Sequence, residues 1–247
     1  MAREFIAVVE ESRRAPALVV DRSVDGVLQL RLDRPERRNA LDRELLHELL
    51  DAFAGLAEPV VVLGSTSPEA FCAGADLRLA DAERAEVSDL LYELYGRITA
   101  CEAIVVAALS GPAIGGGAQL AIAADLRVAA RDARIQVAGP GHGLAVAAWS
   151  LPSLVGRGRA MDLCLTMRPV GADEALAIGL VDRVADDADA ASLALATDFA
   201  ALDPAAATRV KRVAWGAARA LEALEDERAG NRASWSGSMQ RAGAGHG

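Results

Sequence analysis

Hydrophobic and polar positions near the start of the chain follow first a strand period and then a helix period. The segments Leu18 to Val20 and Val27 to Leu32 read as strands, and Asp25-Gly26 between them predicts a tight turn. We therefore expect a hairpin. A helical stripe with one buried face follows, and Asp42 can serve as its N-cap. The stripe consists of Leu41, Leu45, Leu46, Leu49, Leu50 and Phe53.

Strand and helix patterns then alternate along the chain. The apolar run Val60 to Leu63 predicts a strand that is covered on both faces. Repeated units of this kind favour an α/β fold. The further predicted elements are helix Asp89 to Cys101, strand Ile104 to Leu109, a glycine-rich turn from Gly111 to Gly117, helix Ala118 to Ala124, strand Leu126 to Ala130, helix Ala160 to Met167, helix Ala172 to Ile178 and strand Leu180 to Val184.

From about Asp187 onward the pattern is helical only, with a break at Asp203-Pro204. The 247 residues allow one large domain, or one with a small appendage. We expect a core over residues 16–186 and a helical C-terminal region over 187–247. Residues 1–15 and 243–247 are expected to be flexible.

Composition excludes several classes of function. The net charge of −9 is the wrong sign for holding a nucleic acid. Lys211 is the single lysine, which leaves little room for Schiff-base chemistry. The odd number of cysteines, without C-x-x-C spacing, suits reduced thiols and a cytoplasmic protein. No apolar run reaches the roughly 20 residues that span a bilayer, and His47 and His246 suggest no metal site.

Two loops rich in small residues are the candidate sites. The first, Phe71 to Leu77, leaves an apolar segment and enters one that can be helical, with a helix start near Asp76. The second, Gly111 to Leu120, carries three consecutive glycines before a helix. Small residues let a ligand approach the backbone, and amides at a helix start are free to hold an oxyanion or a thioester carbonyl. The alternative for the first loop is a tight packed turn.

With both loops in view, the chain resembles the crotonase superfamily, the enoyl-CoA hydratase/isomerase family. Four segments carry the resemblance and together span most of residues 17–185. They are Leu32 to Leu41, Ala70 to Leu77, Gly111 to Leu120 with Asp125-Leu126-Arg127, and Ala172 to Val184 with its A-x-x-A-x-x-x-G-L-V pattern.

The resemblance implies a spiral of β-β-α units with a C-terminal helical region used in trimerisation, and a homotrimer or dimer of trimers. It implies acyl-CoA or enoyl-CoA as the ligand, with coenzyme A part of that ligand and no permanently bound cofactor. The amides of Ala75 and Gly116 match the oxyanion hole. Coenzyme A contacts would come from Arg37, Arg38, Ala40, Ala73, Gly74, Ala75, Asp76, Leu77, Ile114 and Gly116.

The chain departs from the family where a hydratase needs two carboxylates. Gln119 stands in place of the first glutamate, and Gly139 in place of the second. No acid occurs between Ile135 and Arg157. His142 could act as a substitute base. The simpler interpretation is a loop histidine that is exposed and has no catalytic role. Asp76 is expected to order its loop or cap a helix.

Two further residue groups have structural interpretations. Cys72 beside the first loop is tempting as a nucleophile, but packing is favoured because no histidine partner is near in sequence. One face of the helix before the second loop could flank an acyl chain or belong to the core or a trimer contact. That face consists of Leu90, Leu91, Leu94 and Ile98.

Because it lacks both acids, the chain is similar to an actinobacterial subgroup of hydratase-like proteins. That subgroup is regarded as non-catalytic acyl-CoA binders in lipid metabolism. The first hypothesis is therefore an acyl-CoA binder with little or no activity, which could work with fatty-acid synthesis proteins. The second is an active hydratase, isomerase, decarboxylase or thioester hydrolase with a non-standard base such as His142. The third is a structural oligomer without a ligand.

Overall fold

The computed structural model describes residues 16–76, 78 and 80–234. The two ends that are predicted to be flexible therefore lie outside the described residues, and so do Leu77 and His246. The strands are β1 (Leu18–Val24), β2 (Val27–Leu32), β3 (Val60–Ser65), β4 (Ile104–Leu109), β5 (Ala113–Ile114), β6 (Leu126–Ala130), β7 (Arg134–Gln136), β8 (Val170–Gly171) and β9 (Arg183–Ala185). The helices are α1 (Arg43–Ala54), α2 (Asp81–Ala100), α3 (Gly116–Ala123), α4 (Leu151–Val155), α5 (Arg157–Thr166), α6 (Ala172–Ile178), α7 (Ala188–Ala200), α8 (Pro204–Trp215) and α9 (Ala217–Ser234).

The strands form two sheets, and from β4 to β7 consecutive strands alternate between them. The larger sheet has the order β1-β2-β3-β4-β6-β9, and the smaller one has the order β5-β7-β8. In the larger sheet only the β1-β2 hairpin is antiparallel. Each turn thus places β4 or β6 in the larger sheet and the following β5 or β7 in the smaller one. The predicted α/β architecture and β-β-α spiral are confirmed.

Local sequence signals explain several element boundaries. All six residues of β3 are buried, as its continuous apolar run predicts. The side chain of Asp42 accepts a hydrogen bond from the Leu45 amide and caps α1. At the predicted break, Asp203 caps α8 in the same way, and Pro204 occupies the first helical position.

The start of α2 and the extent of β9 differ most from the prediction, and each difference has a physical reason. Helix α2 begins at Asp81 rather than Asp89, because its first two turns are rich in charged residues that carry no apolar stripe. Only Arg183 to Ala185 of the second predicted segment form a strand. Leu180 instead follows Gly179, which has a φ of +80°, and its amide caps α6 by donating to the Ala175 carbonyl.

The C-terminal helices pack on both sides of the spiral. Helix α7 lies across β3, β4 and β6, while α9 packs against α2. Lys211 on α8 is buried, with its Nζ 2.9 Å from Asp125 Oδ2, and it donates to the Ala103 carbonyl. The only lysine is therefore engaged in joining α8 to the spiral. Within the described part of the chain, no helix is long and apolar enough to cross a membrane.

Candidate functional site

The two small-residue loops lie side by side. Cys72 and Ala113 form an isolated parallel bridge, in which the Ile114 amide donates to the Cys72 carbonyl at 2.9 Å. On its other side the first loop pairs with Leu41 through Ala75. The short strand β5 continues into the three glycines and α3. This pairing places the backbone of residues 73–76 next to the first turn of α3.

Glycines are required where the loops touch. Gly74 has a φ of +89°, and a Cβ there would lie 2.7 Å from the Ile114 carbonyl oxygen. A Cβ on Gly117 would lie 2.3 Å from the Cys72 carbonyl oxygen. These distances are shorter than carbon–oxygen contact allows, so the close approach of the two backbones explains both glycines.

The backbone amides of Ala75 and Gly116 are neighbours. A Cβ built on Gly116 would lie 3.5 Å from the Ala75 nitrogen. Among the described residues, neither amide donates a hydrogen bond to another group. Gly116 opens α3, where helix geometry leaves the amide unpaired. Ala75 is in a loop, and the expectation of a helix start near Asp76 is wrong because α2 begins at Asp81. Two neighbouring donors without an acceptor among the described residues are suited to a carbonyl oxygen.

A cavity of about 140 Å³ opens beside these amides. Its apolar wall includes Leu91 on α2 together with Leu144 and Val146 from the loop before α4. Seven residues predicted from the sequence line it. They are Ala73, Gly74, Ala75, Ile114, Gly116, Gln119 and His142. The cavity thus combines backbone donors with an apolar lining.

The Gln119 side chain is engaged in hydrogen bonds rather than free. Its Oε1 accepts from the Ala147 amide at 2.9 Å and from Trp149 Nε1 at 3.1 Å. Gly139 is not among the residues that line the cavity. A Cβ on Gly139 would lie 2.4 Å from Val146 Cγ2. The Val146 side chain therefore occupies the space into which a side chain at position 139 would point.

A buried carboxyl group lies behind this wall, and the sequence pattern around the loops does not reveal it. The Tyr92 hydroxyl donates to Glu227 Oε1 at 2.8 Å, and Glu227 Oε2 accepts from the Trp149 amide at 3.0 Å. Asn231 Nδ2 donates to the Tyr92 oxygen at 2.8 Å. Burial raises the pKa of the Glu227 carboxyl above its ordinary value, and burial also raises the pKa of Tyr92.

Comparison with known proteins assigns the chain to a family. The family model for enoyl-CoA hydratase/isomerase matches residues 22–235. The chain belongs to the enoyl-CoA hydratase/isomerase family. It is 44% identical over 196 residues to a probable enoyl-CoA hydratase, echA6, of Mycobacterium bovis, covering 76% of this chain and 79% of the relative. It is 39% identical over 175 residues to a probable enoyl-CoA hydratase of Rhodobacter capsulatus, covering 67% of each.

Solved structures agree with this assignment. An enoyl-CoA hydratase from Bacillus anthracis superposes with a TM-score of 0.77 at 28% identity, over 87% of this chain and 90% of that one. An enoyl-CoA hydratase/isomerase from Mycobacterium paratuberculosis shares the fold, with a TM-score of 0.81 at 24% identity over 90% and 95% of the two chains. The crotonase fold and superfamily expected from the four segments are confirmed.

Some residues matched to the crotonase motif lie outside the cavity wall. Arg37 is half-buried and Arg38 is exposed. The Arg38 carbonyl accepts from the Ala73 amide at 2.9 Å, which places this segment against the first loop. Ala40 is buried. Asp76 is also buried and accepts from the Arg78 amide, a contact that orders the loop.

The geometry of this segment depends on two residues to which the sequence analysis assigned no role. Asn39 has a φ of +54° and donates from its buried side chain to the Phe71 carbonyl and to Ser65 Oγ. Arg34 is buried, 2.7 Å from Asp42 Oδ2, and donates to the Ala40 carbonyl. Together they fix residues 34–42 beside the first loop.

A signal for Glu227 and Asn231 is present in the sequence of α9. Ala220, Leu224, Glu227 and Asn231 recur with the spacing of one helix face. Leu224, Glu227 and Asn231 are all buried. A polar pair that continues an apolar stripe is a sign of a buried hydrogen-bonded network.

The structure shows the surroundings of the cysteine, the apolar helix face and the histidine that the sequence analysis singled out. Cys72 is fully buried, its thiol donates to the Asn39 carbonyl, and burial raises its pKa to about 12. These features support packing rather than nucleophilic chemistry. Leu91, Leu94 and Ile98 are buried, and of these Leu91 lines the cavity. His47 is exposed on α1, and the described residues contain no cluster able to hold a metal ion.

Proposed function

We propose that this crotonase-family protein binds acyl-CoA thioesters and is a weak hydratase or no hydratase at all. The observation that carries the proposal is the contrast at the cavity. The Ala75 and Gly116 amides are free to hold a thioester carbonyl, whereas Gln119 and Gly139 supply no acid.

The carbonyl-binding part supports affinity for thioesters. Two backbone donors in a partly enclosed cavity stabilise a polarised carbonyl oxygen, and one such donor is worth about 10² to 10³ in rate when charge develops there. The adjoining wall of Leu91, Leu144 and Val146 suits an acyl chain. Coenzyme A enters as part of the ligand, and no permanently bound cofactor is proposed.

We expect hydration to be slow or absent because the groups that would move protons are missing. Addition of water needs one group to take its proton and another to deliver a proton to carbon, each worth about 10² to 10⁴. An amide at Gln119 has no titrating proton, and its oxygen already accepts two hydrogen bonds. The proposal agrees with the resemblance to the hydratase-like subgroup of lipid metabolism that lacks both glutamates.

The biological setting is also a proposal. We propose a cytoplasmic homotrimer, or a dimer of trimers, that holds a fatty acyl thioester for proteins of fatty-acid synthesis. Support comes from family membership and from the absence of membrane-spanning helices among the described residues.

Calorimetry with a saturated acyl-CoA and absorbance of a trans-2-enoyl-CoA test the proposal together. We expect binding of the saturated thioester and loss of enoyl absorbance no faster than background. The variant Gly74→Ala should lose affinity because its Cβ meets the Ile114 carbonyl and displaces Ala75. No binding of any acyl-CoA would contradict the proposal and favour a structural oligomer.

A second candidate is an active enzyme that uses His142. Its supporting observation is that His142, half-buried, lines the same cavity as Ala75 and Gly116. Such an enzyme would convert a substrate at a rate that falls in His142→Ala. Unchanged turnover of that substrate in His142→Ala would remove this residue from the mechanism.

A further inference from the structure

Tyr92 on α2 and Glu227 on α9 form a hydrogen-bonded pair at the cavity. Tyr92 lines the cavity that also holds the Ala75 and Gly116 amides, while Glu227 lies directly behind it. We propose that Tyr92 exchanges a proton with the carbon next to a bound thioester carbonyl, and that Glu227 is the positioning residue that receives the phenolic proton. The inference rests on the proposed function, because the carbonyl must first bind to the two amides.

The direction of the Tyr92 proton is fixed by its neighbours. Asn231 Oδ1 accepts from the Ala145 amide at 2.8 Å, so its Nδ2 is the atom that donates to the Tyr92 oxygen. The phenolic hydrogen is then directed to Glu227 Oε1 at 2.8 Å. Glu227 is held in place because its second oxygen accepts from the Trp149 amide. With this orientation, Tyr92 can pass its own proton to Glu227 while its oxygen takes another proton.

The proton transfer balances without any further reactant. The Tyr92 oxygen takes a proton from the carbon next to the thioester carbonyl as its own proton moves to the Glu227 carboxylate. The electron pair of the broken C–H bond forms the carbon–carbon double bond of an enolate, and the carbonyl electron pair moves to the oxygen held by the Ala75 and Gly116 amides. In deuterated water the hydrogens on Tyr92 and Glu227 exchange with solvent before the transfer reverses, so reversal delivers deuterium to carbon and restores the Tyr92–Glu227 hydrogen bond.

One base is enough for this exchange, whereas hydration needs two groups around a water molecule. The pair can therefore be active in a protein that lacks both hydratase acids. Burial of Glu227 makes the carboxylate a stronger base than an exposed glutamate, which suits the abstraction of a weakly acidic proton.

The test incubates the full chain with butyryl-CoA in deuterated water and follows loss of the protons next to the carbonyl by NMR. Calorimetry on the same samples measures binding. We expect exchange by the unmodified protein and a fall of at least about 100-fold in Tyr92→Phe with binding retained. Asp89→Asn is the matched control, because Asp89 also joins α2 to α9, through Arg228 and Arg232, but does not line the cavity.

A pH profile separates proton transfer from a merely structural role. Exchange should increase with pH as Glu227 ionises, and Glu227→Gln should lower the rate and flatten the profile. Glu227→Gln also tests the inference by itself if Tyr92→Phe does not fold. The other titratable groups near the pair stay unchanged in these variants, and they are Tyr95, Cys72, Cys164, His142, Arg84 and Asp89.

Three results would overturn the inference. Binding of butyryl-CoA without exchange would refute it and leave the proposed function intact. Exchange that is unchanged in Tyr92→Phe but lost in His142→Ala would assign the base to His142. Failure of butyryl-CoA and of longer acyl-CoA thioesters to bind would refute the proposed function itself, and with it this inference.

Discussion

The two ends of the cavity are built from different parts of the chain, and they differ in how far they follow the family pattern. The carbonyl end consists of backbone amides held by Gly74, Gly116 and Gly117. The proton end consists of side chains, and the resemblance to the family led us to expect glutamates where the chain has Gln119 and Gly139. A backbone site is fixed by the fold and survives side-chain substitution, whereas a side-chain site changes with a single codon. On the proposed function, this difference would let ligand binding persist where hydration is lost.

The largest expected effect comes from breaking the carbonyl end at Gly117. Gly117→Ala places a Cβ 2.3 Å from the Cys72 carbonyl oxygen, and should lower the free energy of unfolding by about 3 kcal/mol. Denaturant unfolding measures this change. Gly158→Ala is the control, because it lies in α5 with no atom within 4 Å of its Cβ, and should stabilise by roughly 0.5–1 kcal/mol. Equal stabilities of the two variants would show that the loops are not closely packed.

The next effect concerns the proton end, where Val146 occupies the space beside Gly139. Gly139→Ala should destabilise by about 2 kcal/mol, because its Cβ meets Val146 Cγ2 at 2.4 Å. The same substitution should cost less in a Val146→Gly background, and a double-mutant cycle measures that coupling. Additive effects would mean that Val146 does not fill the space beside Gly139.

A smaller effect is the pH dependence of stability that Glu227 causes. Burial raises its pKa in the folded state, so the folded chain binds more protons than the unfolded chain between the ordinary glutamate pKa of 4.5 and the raised value. The free energy of unfolding should therefore fall as pH rises through this window. Subtracting the profile of Glu227→Gln isolates the contribution.

The control for this pH dependence is a second acid. Burial also raises the pKa of Asp189 on α7, which is remote from the cavity wall. Asp189→Asn should alter the stability profile but leave acyl-CoA affinity unchanged. If Glu227→Gln removes none of the pH dependence seen in the unmodified chain, the carboxyl group is not buried as described.

The smallest expected effect is at Cys72, next to the carbonyl end. Cys72→Ala removes a buried thiol but keeps the Cβ that packs on Gly117, so acyl-CoA affinity should stay within about twofold. The half-buried Cys101 and Cys164 are comparison sites for alkylation, which should reach Cys72 last in the native protein. Loss of affinity by more than tenfold would indicate that the thiol acts on the ligand.

The hydrophobic pattern predicted individual strands and helices well where its periods are long, whereas the spiral was expected from the resemblance to the family. Strands β2, β4 and β6 and helix α6 have the predicted bounds, and Asp42 is the predicted cap. The smaller sheet escaped prediction because its strands have only two or three residues, too few to show a period. The start of α2 was missed because its first two turns are rich in charged residues and carry no apolar stripe.

The candidate site was predicted in its backbone part and at Gln119 and His142, but not at Tyr92 and Glu227. Glycine clusters mark Ala75 and Gly116, because a close approach of two loops leaves a composition signal. Tyr92 and Glu227 are 135 residues apart in sequence, and only the packing of α9 on α2 brings them together. A local search for acids between Ile135 and Arg157 could not find a carboxyl group supplied by the last helix.

The central claim is that the carbonyl end binds thioesters while the proton end does not hydrate them. The most direct test combines calorimetry on a saturated acyl-CoA with the absorbance of crotonyl-CoA and of a long-chain trans-2-enoyl-CoA. Binding of the saturated thioester with enoyl turnover at background is the predicted result. Rapid hydration by the unmodified protein would contradict the account, because it would require a pair of acid–base groups that Gln119 and Gly139 do not provide.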